Sequence, residues 1–298
     1  VSSRTRLALF VVLAVCCVTV VVIAVVSGVQ GSDDPATNAS AGADRALTTA
    51  RTADRQMVMF RTLGTGTAKD VSQVDLAPTA DAAKPRTRSP LACARVYFAG
   101  GRGLCVARGH GLTSTFQAEV FGPDLRVQHT AGLTGIPSRA RVSPDGRYGA
   151  VTMFVAGHAY ATPGSFSTQT TLIDLVTGSK IADLEDFTIA KGERQVTAVD
   201  VNFWGVTFAR DSDRFYATMA TGGKTYLIEG SVSAKTAHVI HTNVECPSLS
   251  PDGTRIAYKK RTGPKSDPWR LTILDLATMR ETPLAERRSV DDQVEWLD

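Results

Sequence analysis

One phrase recurs in this chain and limits what it can fold into. Val142-Ser143-Pro144-Asp145-Gly146-Arg147-Tyr148 returns as Leu249-Ser250-Pro251-Asp252-Gly253-Thr254-Arg255. A looser copy is Phe208-Ala209-Arg210-Asp211-Ser212-Asp213-Arg214-Phe215. Each copy sits between apolar or β-branched runs, so a tight turn is fixed at one place in a repeating β unit. The turn chemistry is explicit. Pro144 and Pro251 pre-set φ for the first corner, Asp145 and Asp252 can accept from nearby backbone N–H groups, and Gly146 and Gly253 tolerate positive φ.

A second strand pair follows each turn. Thr170–Gly178 matches Arg270–Thr278, with Asp174 and Asp275 at equivalent places, and Lys224–Gly230 fills that place in the middle copy. Two strands, a loop, a strand ending in an acid, a turn and a last strand make a four-stranded propeller blade. The copies are spaced unevenly, 66 and 41 residues apart. The longer interval predicts insertions over 156–168 and 183–200, placed in surface loops. Units fall at about 93–135, 138–185, 200–242 and 244–285. Two plausible strands, at Met57–Arg61 and Val71–Leu76, supply an N-terminal share of a closing blade, and 77–90 reads as loop. The last residues, Val294-Glu295-Trp296-Leu297, align with the start of another unit. The reading is an all-β propeller of four-stranded blades over 57–298, six-bladed in type and shortened at its C-terminal end.

These residues resemble a known family. The Ser-Pro-Asp-Gly turn and the Leu-x-x-Leu-Asp-Leu-x-Thr type of strand are similar to TolB-like, WD-repeat-like β-propellers. Phe203–Arg210, Arg214–Thr218, Glu245–Gly253 and Val294–Asp298 resemble membrane-anchored actinobacterial proteins described as TolB-like. The resemblance implies the fold and an envelope setting, and it brings no catalytic residues with it.

The N-terminus carries its own signal. Residues 7–26, LALFVVLAVCCVTVVVIAVV, hold no charge, and a bilayer-spanning helix needs about 20 such residues. Arg4 and Arg6 precede the run and Asp33 and Asp34 follow it, so the positive-inside rule puts 1–6 in the cytoplasm and the rest outside. The expected plan is a signal-anchor helix over 7–27 in the lipid bilayer, a flexible tether over 28–56 and the propeller beyond. A cleaved signal peptide is the rival, but its apolar core should be only about 7–15 residues.

Cys93 and Cys105 flank a hairpin whose turn lies near 99–101. A turn centred on Ala99 would set them opposite each other, as a disulfide or as two buried thiols. Cys246 reads as a buried strand thiol. Metal-ligand spacing is absent from the sequence, and no metal or cofactor site is expected. A net charge of +4 on 298 residues is too small an excess to indicate a nucleic-acid partner. Lys259-Lys260-Arg261 and Arg287-Arg288 read as short solvated basic runs.

Other motifs are weaker. Thr221-Gly222-Gly223-Lys224-Thr225 ends like a phosphate-binding loop, but the distal glycine is missing and a strand follows, so it reads as a propeller turn. His238 and His241 are three apart, which on a strand puts them on opposite faces. His110, His129 and His158 are isolated. Trp204, Trp269 and Trp296 read as packing residues. Without a catalytic constellation, the sequence points to a non-catalytic, membrane-tethered scaffold that binds an envelope protein or peptide outside the cytoplasm. The alternative is an enzyme, or the regulatory propeller of a hydrolase, acting on envelope peptides or sugars, because propeller active sites can assemble from single residues on different blades.

Overall fold

The computed structural model describes residues 57–61, 72–78, 86–109, 115–157 and 166–296. The apolar run at 7–26 and the tether lie outside these, as do His110 and His158. No helix among the described residues is long and apolar enough to cross a membrane.

The described chain forms five sheets. The first holds β1 (Met57–Arg61), β2 (Gln73–Pro78) and β3 (Thr87–Ala92). The second holds β4 (Arg95–Ala99), β5 (Arg102–Arg108), β6 (Phe116–Phe121) and β7 (Val127–Leu133). The third holds β8 (Ile136–Val142), β9 (Tyr148–Ala156), β10 (Ser167–Asp174) and β11 (Ser179–Asp183). The fourth is built on β14 (Asn202–Phe208), β15 (Arg214–Thr221), β16 (Lys224–Ser231) and β17 (Thr236–Thr242). The fifth holds β18 (Glu245–Leu249), β19 (Arg255–Arg261), β20 (Trp269–Asp275) and β21 (Glu281–Pro283). All four meander sheets are antiparallel, and the first strands β1, β4, β8, β14 and β18 pack in succession around a centre. The fold is therefore a β-propeller with five blades among the described residues, where six were expected. The N-terminal strands do not share a blade with the C-terminal end, because β3 gives them a sheet of their own.

The segment 77–90 was expected as loop, but its end belongs to the strand Thr87–Ala92. That strand lies at its sheet's edge, where Pro90 can lack an N–H without breaking a ladder. The amide of Gln73 spans the irregularity beside it, donating to the Ser89 carbonyl at 2.7 Å.

Apolar packing lies mainly between blades. Leu76, Leu91, Ala107 and Phe121 fill the gap between blades one and two, and Val106, Val120, Val151 and Ile173 that between two and three. Leu172, Phe203, Phe208, Phe215 and Ile228 join three to four; Tyr216, Leu227, Ile256 and Leu274 join four to five. A strand buried on both faces reads as a continuous apolar run, which is why Phe203–Phe208 shows no alternation.

The insertion over 183–200 is more than a surface loop. Its hairpin, β12 (Thr188–Lys191) with β13 (Arg194–Gln195), adds to the outer edge of blade four, β12 pairing parallel with β17. Leu184, Phe187 and Ile189 are buried against blade four. An exposed outer strand is a bare hydrogen-bonding edge, and the insertion covers it.

Cys93 and Cys105 form a disulfide with Cα atoms 5.3 Å apart, but not in the expected register. Cys105 faces Val96, and the turn is centred on Gly100-Gly101. Cys93 precedes β4 and donates its N–H to the Ser72 carbonyl. The bond therefore ties the link between blades one and two to the second strand of blade two.

Candidate functional site

Antiparallel order puts the first-to-second and third-to-fourth strand turns at one end of the blades, and the remaining connections at the other. The repeat belongs to the first end. In both full copies the serine hydroxyl donates to the aspartate, at 2.6 Å for Ser143–Asp145 and 2.5 Å for Ser250–Asp252. The same serine oxygen accepts the N–H of Tyr148 at 2.9 Å and of Arg255 at 3.0 Å. Gly146 and Gly253, at φ 71° and 74°, each donate back to the serine carbonyl at 2.8 Å. The Ser250 hydroxyl, followed by Thr254, holds the Asp252 carboxyl below the usual range. Asp174 accepts the N–H groups of Val176 and Thr177, and Asp275 accepts the N–H and the hydroxyl of Thr278. The recurring residues are thus turn builders, and their acceptors are occupied by their own backbone and by adjacent hydroxyls.

The centre of the propeller is different. Arg139 and Arg141, on β8, are buried, although each is charged. Lys259 is also buried, which corrects its reading as part of a solvated run: it faces Glu245 across the ladder and lies inside a blade rather than in a loop. These cations meet a segment after β21. Asp291 lies 3.3 Å from Arg139 and 2.7 Å from Lys259. Glu295 pairs with Arg141 and accepts from the Tyr97 hydroxyl at 2.8 Å. Between them, the Gln293 amide reaches the carbonyls of Gly205, Val206 and Pro247 at 3.3, 3.2 and 2.5 Å. Those carbonyls are available because β14 and β18 are both irregular there, with Gly205 at φ 64° and Cys246 at φ 50°. A β-carbon on Gly205 would come within 2.6 Å of the Cys246 Cα, so glycine is required for this approach. The Trp296 indole donates to Ser248 at 3.0 Å. The first strands of blades two to five together hold one extended, acidic segment.

A pocket of about 670 Å³ opens at the end opposite the repeat turns, between blades three, four and five. Phe166 lines it together with Trp204 and Tyr226, both of which are buried. Glu245, fully buried, accepts from Arg261 through Oε1 at 3.1 and 2.9 Å. Asp200 is held by the Thr221 hydroxyl at 2.6 Å and the Gly222 N–H at 2.7 Å, which lower its carboxyl below the usual range. Lys191 donates to the Tyr226 hydroxyl at 3.1 Å and lies 4.3 Å from its ring. The Thr221–Thr225 segment is the β15–β16 turn, as read from sequence, and it also lines this pocket.

Other sequence candidates lie outside both places. His241 bonds Glu281 at 3.0 Å while His238 lies near Glu229, so the two histidines do not converge. His129 bonds the Val176 carbonyl at 3.0 Å. Trp204 and Trp269 pack with Phe154 and the buried thiol of Cys246. Among the described residues, no cluster of three His, Cys, Asp or Glu could hold a metal ion. The residues that sequence reasoning missed are Arg139, Arg141, Lys191, Asp200, Glu245, Lys259 and Arg261. One signal was present: Arg139 and Arg141 are two apart on a strand, which puts two cations on one face.

No protein-family model matches the chain, and no curated protein matches it. Solved structures do. TolB from Acinetobacter baumannii superimposes with a TM-score of 0.52 at 15% identity, over 80% of this chain and 54% of that one. Hydrazine synthase from Kuenenia stuttgartiensis superimposes at 0.46 and 14% identity, over 72% of this chain and 60% of that one. The chain thus spans about half the length of the TolB protein it matches. Its described domain has the fold of a TolB-like β-propeller.

Proposed function

We propose that this protein is a non-catalytic, membrane-tethered β-propeller that binds an envelope protein or peptide outside the cytoplasm, using the centre of the propeller. The observation that carries this reading is the acidic segment 291–296, held there by Arg139, Arg141 and Lys259 and by backbone carbonyls. Buried cations require compensation, and carbonyls turned off their ladders require donors. An extended chain with spaced carboxylates and amide donors meets both needs, and such a chain from a partner would compete for the same groups. The apolar run at 7–26 would hold the propeller at the bilayer.

Cross-linking and pull-down from intact membranes, with the wild-type chain and with Arg141→Glu, tests this. A protein recovered by the wild type and lost with the variant is the expected result. Recovery of nothing above background, or the same set with both, overturns the reading.

The second reading, an enzyme or the regulatory propeller of a hydrolase acting on envelope peptides or sugars, draws on the pocket. Asp200 and Glu245 line it among the described residues.

A further inference from the structure

A propeller blade ends in an outer strand whose second edge faces solvent, and such an edge pairs with any available strand unless something blunts it. Among the described residues, four of the five outer strands are blunted. β3 carries Arg88 and Pro90, and β21 is three residues long and ends on Pro283. β11 carries Lys180 and Asp183. β17 is covered by β12 and β13.

Blade two has no proline, charge or cover at this place. Its outer strand β7 reads Val-Gln-His-Thr-Ala-Gly-Leu, seven residues without Lys, Arg, Asp, Glu or Pro. It pairs with β6 and with no other strand among the described residues. Its one irregularity, the extra residue Gln128, lies near its first end and leaves His129–Leu133 in regular register. Gln128, Thr130 and Gly132 are exposed, while His129 and Ala131 are half-buried on the other face. Val127, at the start, leaves 44% of its surface in solvent. An outer strand is the part of a blade furthest from the ring's axis, so the neighbouring blades diverge from it and leave room for a second sheet.

The sequence of β7 fits one occupant in particular. Two copies laid antiparallel across a two-fold axis at Thr130 set Thr130 against Thr130, His129 against Ala131, Gln128 against Gly132 and Val127 against Leu133. The longest exposed side chain then meets the residue that has none, apolar meets apolar at the ends, and no like charges are opposed. A Thr–Thr pair across strands is favourable in itself. A two-fold contact must be complementary to itself, and β7 meets that condition at every pair.

We infer that two copies of this protein associate through β7, joining blade two of each into one continuous antiparallel sheet. The contact lies on the outside of the ring and uses no group of the central channel, so either reading can fail without the other.

The test uses the full chain, in intact membranes and in detergent. Directly opposite residues of an antiparallel pair lie about 4.5–5.5 Å apart at Cα, within reach of a disulfide. Thr130→Cys, at an exposed position, should therefore give covalent dimer on mild oxidation. The yield should be at least ~10-fold above that of Ser179→Cys, on the exposed outer strand of blade three, because the pairing holds the two thiols together. The wild type, with Cys16 and Cys17, sets the background. The expected Kd is about 50 μM, as suits an interface of one strand edge, so light scattering at about 200 μM should give the wild type a mass well above the monomer's. Thr130→Lys sets two ammonium groups against each other. It should return the protein to monomer and leave the melting temperature of the dilute chain unchanged. The inference is overturned if Thr130→Cys cross-links no more than Ser179→Cys, if it cross-links only to other proteins, or if the wild type and Thr130→Lys have the same mass. Arg141→Glu, the channel variant, should leave the dimer in place.

Discussion

At the turn end of the blades, Asp145, Asp174, Asp252 and Asp275 all accept from their own turn backbone, and the two serines close the same loops. At the opposite end, Lys191 and Asp200 are brought by an insertion and Lys224 by a Gly-Gly-Lys turn whose sequence does not recur, and Glu245 keeps a buried oxygen without a partner. The first end repeats because each blade must reverse its chain in the same way. The second does not repeat, because a pocket needs each group once. Recurrence in this molecule therefore marks folding, and departure from recurrence marks the candidate site.

The largest loss to expect sharpens the contrast by separating a turn glycine that touches a neighbouring blade from two that do not. Gly146, Gly223 and Gly253 share nearly the same backbone, at φ 71°, 71° and 74°. A β-carbon on Gly146 would come within 2.5 Å of the Gly100 carbonyl oxygen of the neighbouring blade, while the other two meet nothing within 4 Å. Gly146→Ala should cost about 3 kcal/mol, combining left-handed strain with displaced backbone. Gly223→Ala and Gly253→Ala should cost only about 1 kcal/mol each. Urea unfolding of the three variants measures this, and equal losses would break the contrast.

The serine of the turn is the next lever. Ser143→Ala and Ser250→Ala each remove a buried hydroxyl that bonds both carboxylate and backbone, at an expected cost of about 1 kcal/mol. The loose copy keeps the backbone bonds, Ala209 to Arg214 and Ser212 to Ala209, but has no hydroxyl there. Ala209→Ser should therefore stabilise the protein, by a smaller amount. If thermal melts show no gain, the hydroxyl is not what the turn requires.

The pH dependence probes the joint between blades four and five, where Glu281 meets His241 and Tyr258. Burial opposes ionisation of Glu281, but Lys260, Tyr258 and His241 outweigh it and hold its carboxyl at about 2. Because the folded value lies below the ordinary one, this contribution is complete above a pH of about 4.3 and is lost as pH falls towards about 2. Acid unfolding of the wild type and of Glu281→Gln should differ in slope over that window and run parallel above it. The smallest effect belongs to the rim: Lys224→Ala should change stability by no more than about 0.5 kcal/mol, since its side chain is exposed.

Much of the fold was legible because turn chemistry is local. Pro, Asp and Gly set φ within four residues, so blades two to five fall close to where the repeat places them. Among the readings that needed correction, three changed for a clearly non-local reason. The insertion at 183–200 became strands because blade four offered it an edge. Lys259 became buried because a strand inside the fifth blade and the acidic segment enclose it. The hairpin after Cys93 closed on Gly100-Gly101, at φ 55° and 77°, rather than on Ala99, because only glycine adopts that conformation at little cost.

By itself, the sequence determined the β class, the four-stranded unit and the turns that build it, since each follows from the dihedral preferences of a few adjacent residues. The tertiary structure alone decided that five blades share a centre and that Arg139, Arg141 and Lys259 converge on Asp291 and Glu295 there. It alone brought Lys191, Lys224 and Glu245, up to 54 residues apart, to one pocket. Those gatherings depend on how blades pack against one another, a property that no stretch of adjacent residues encodes.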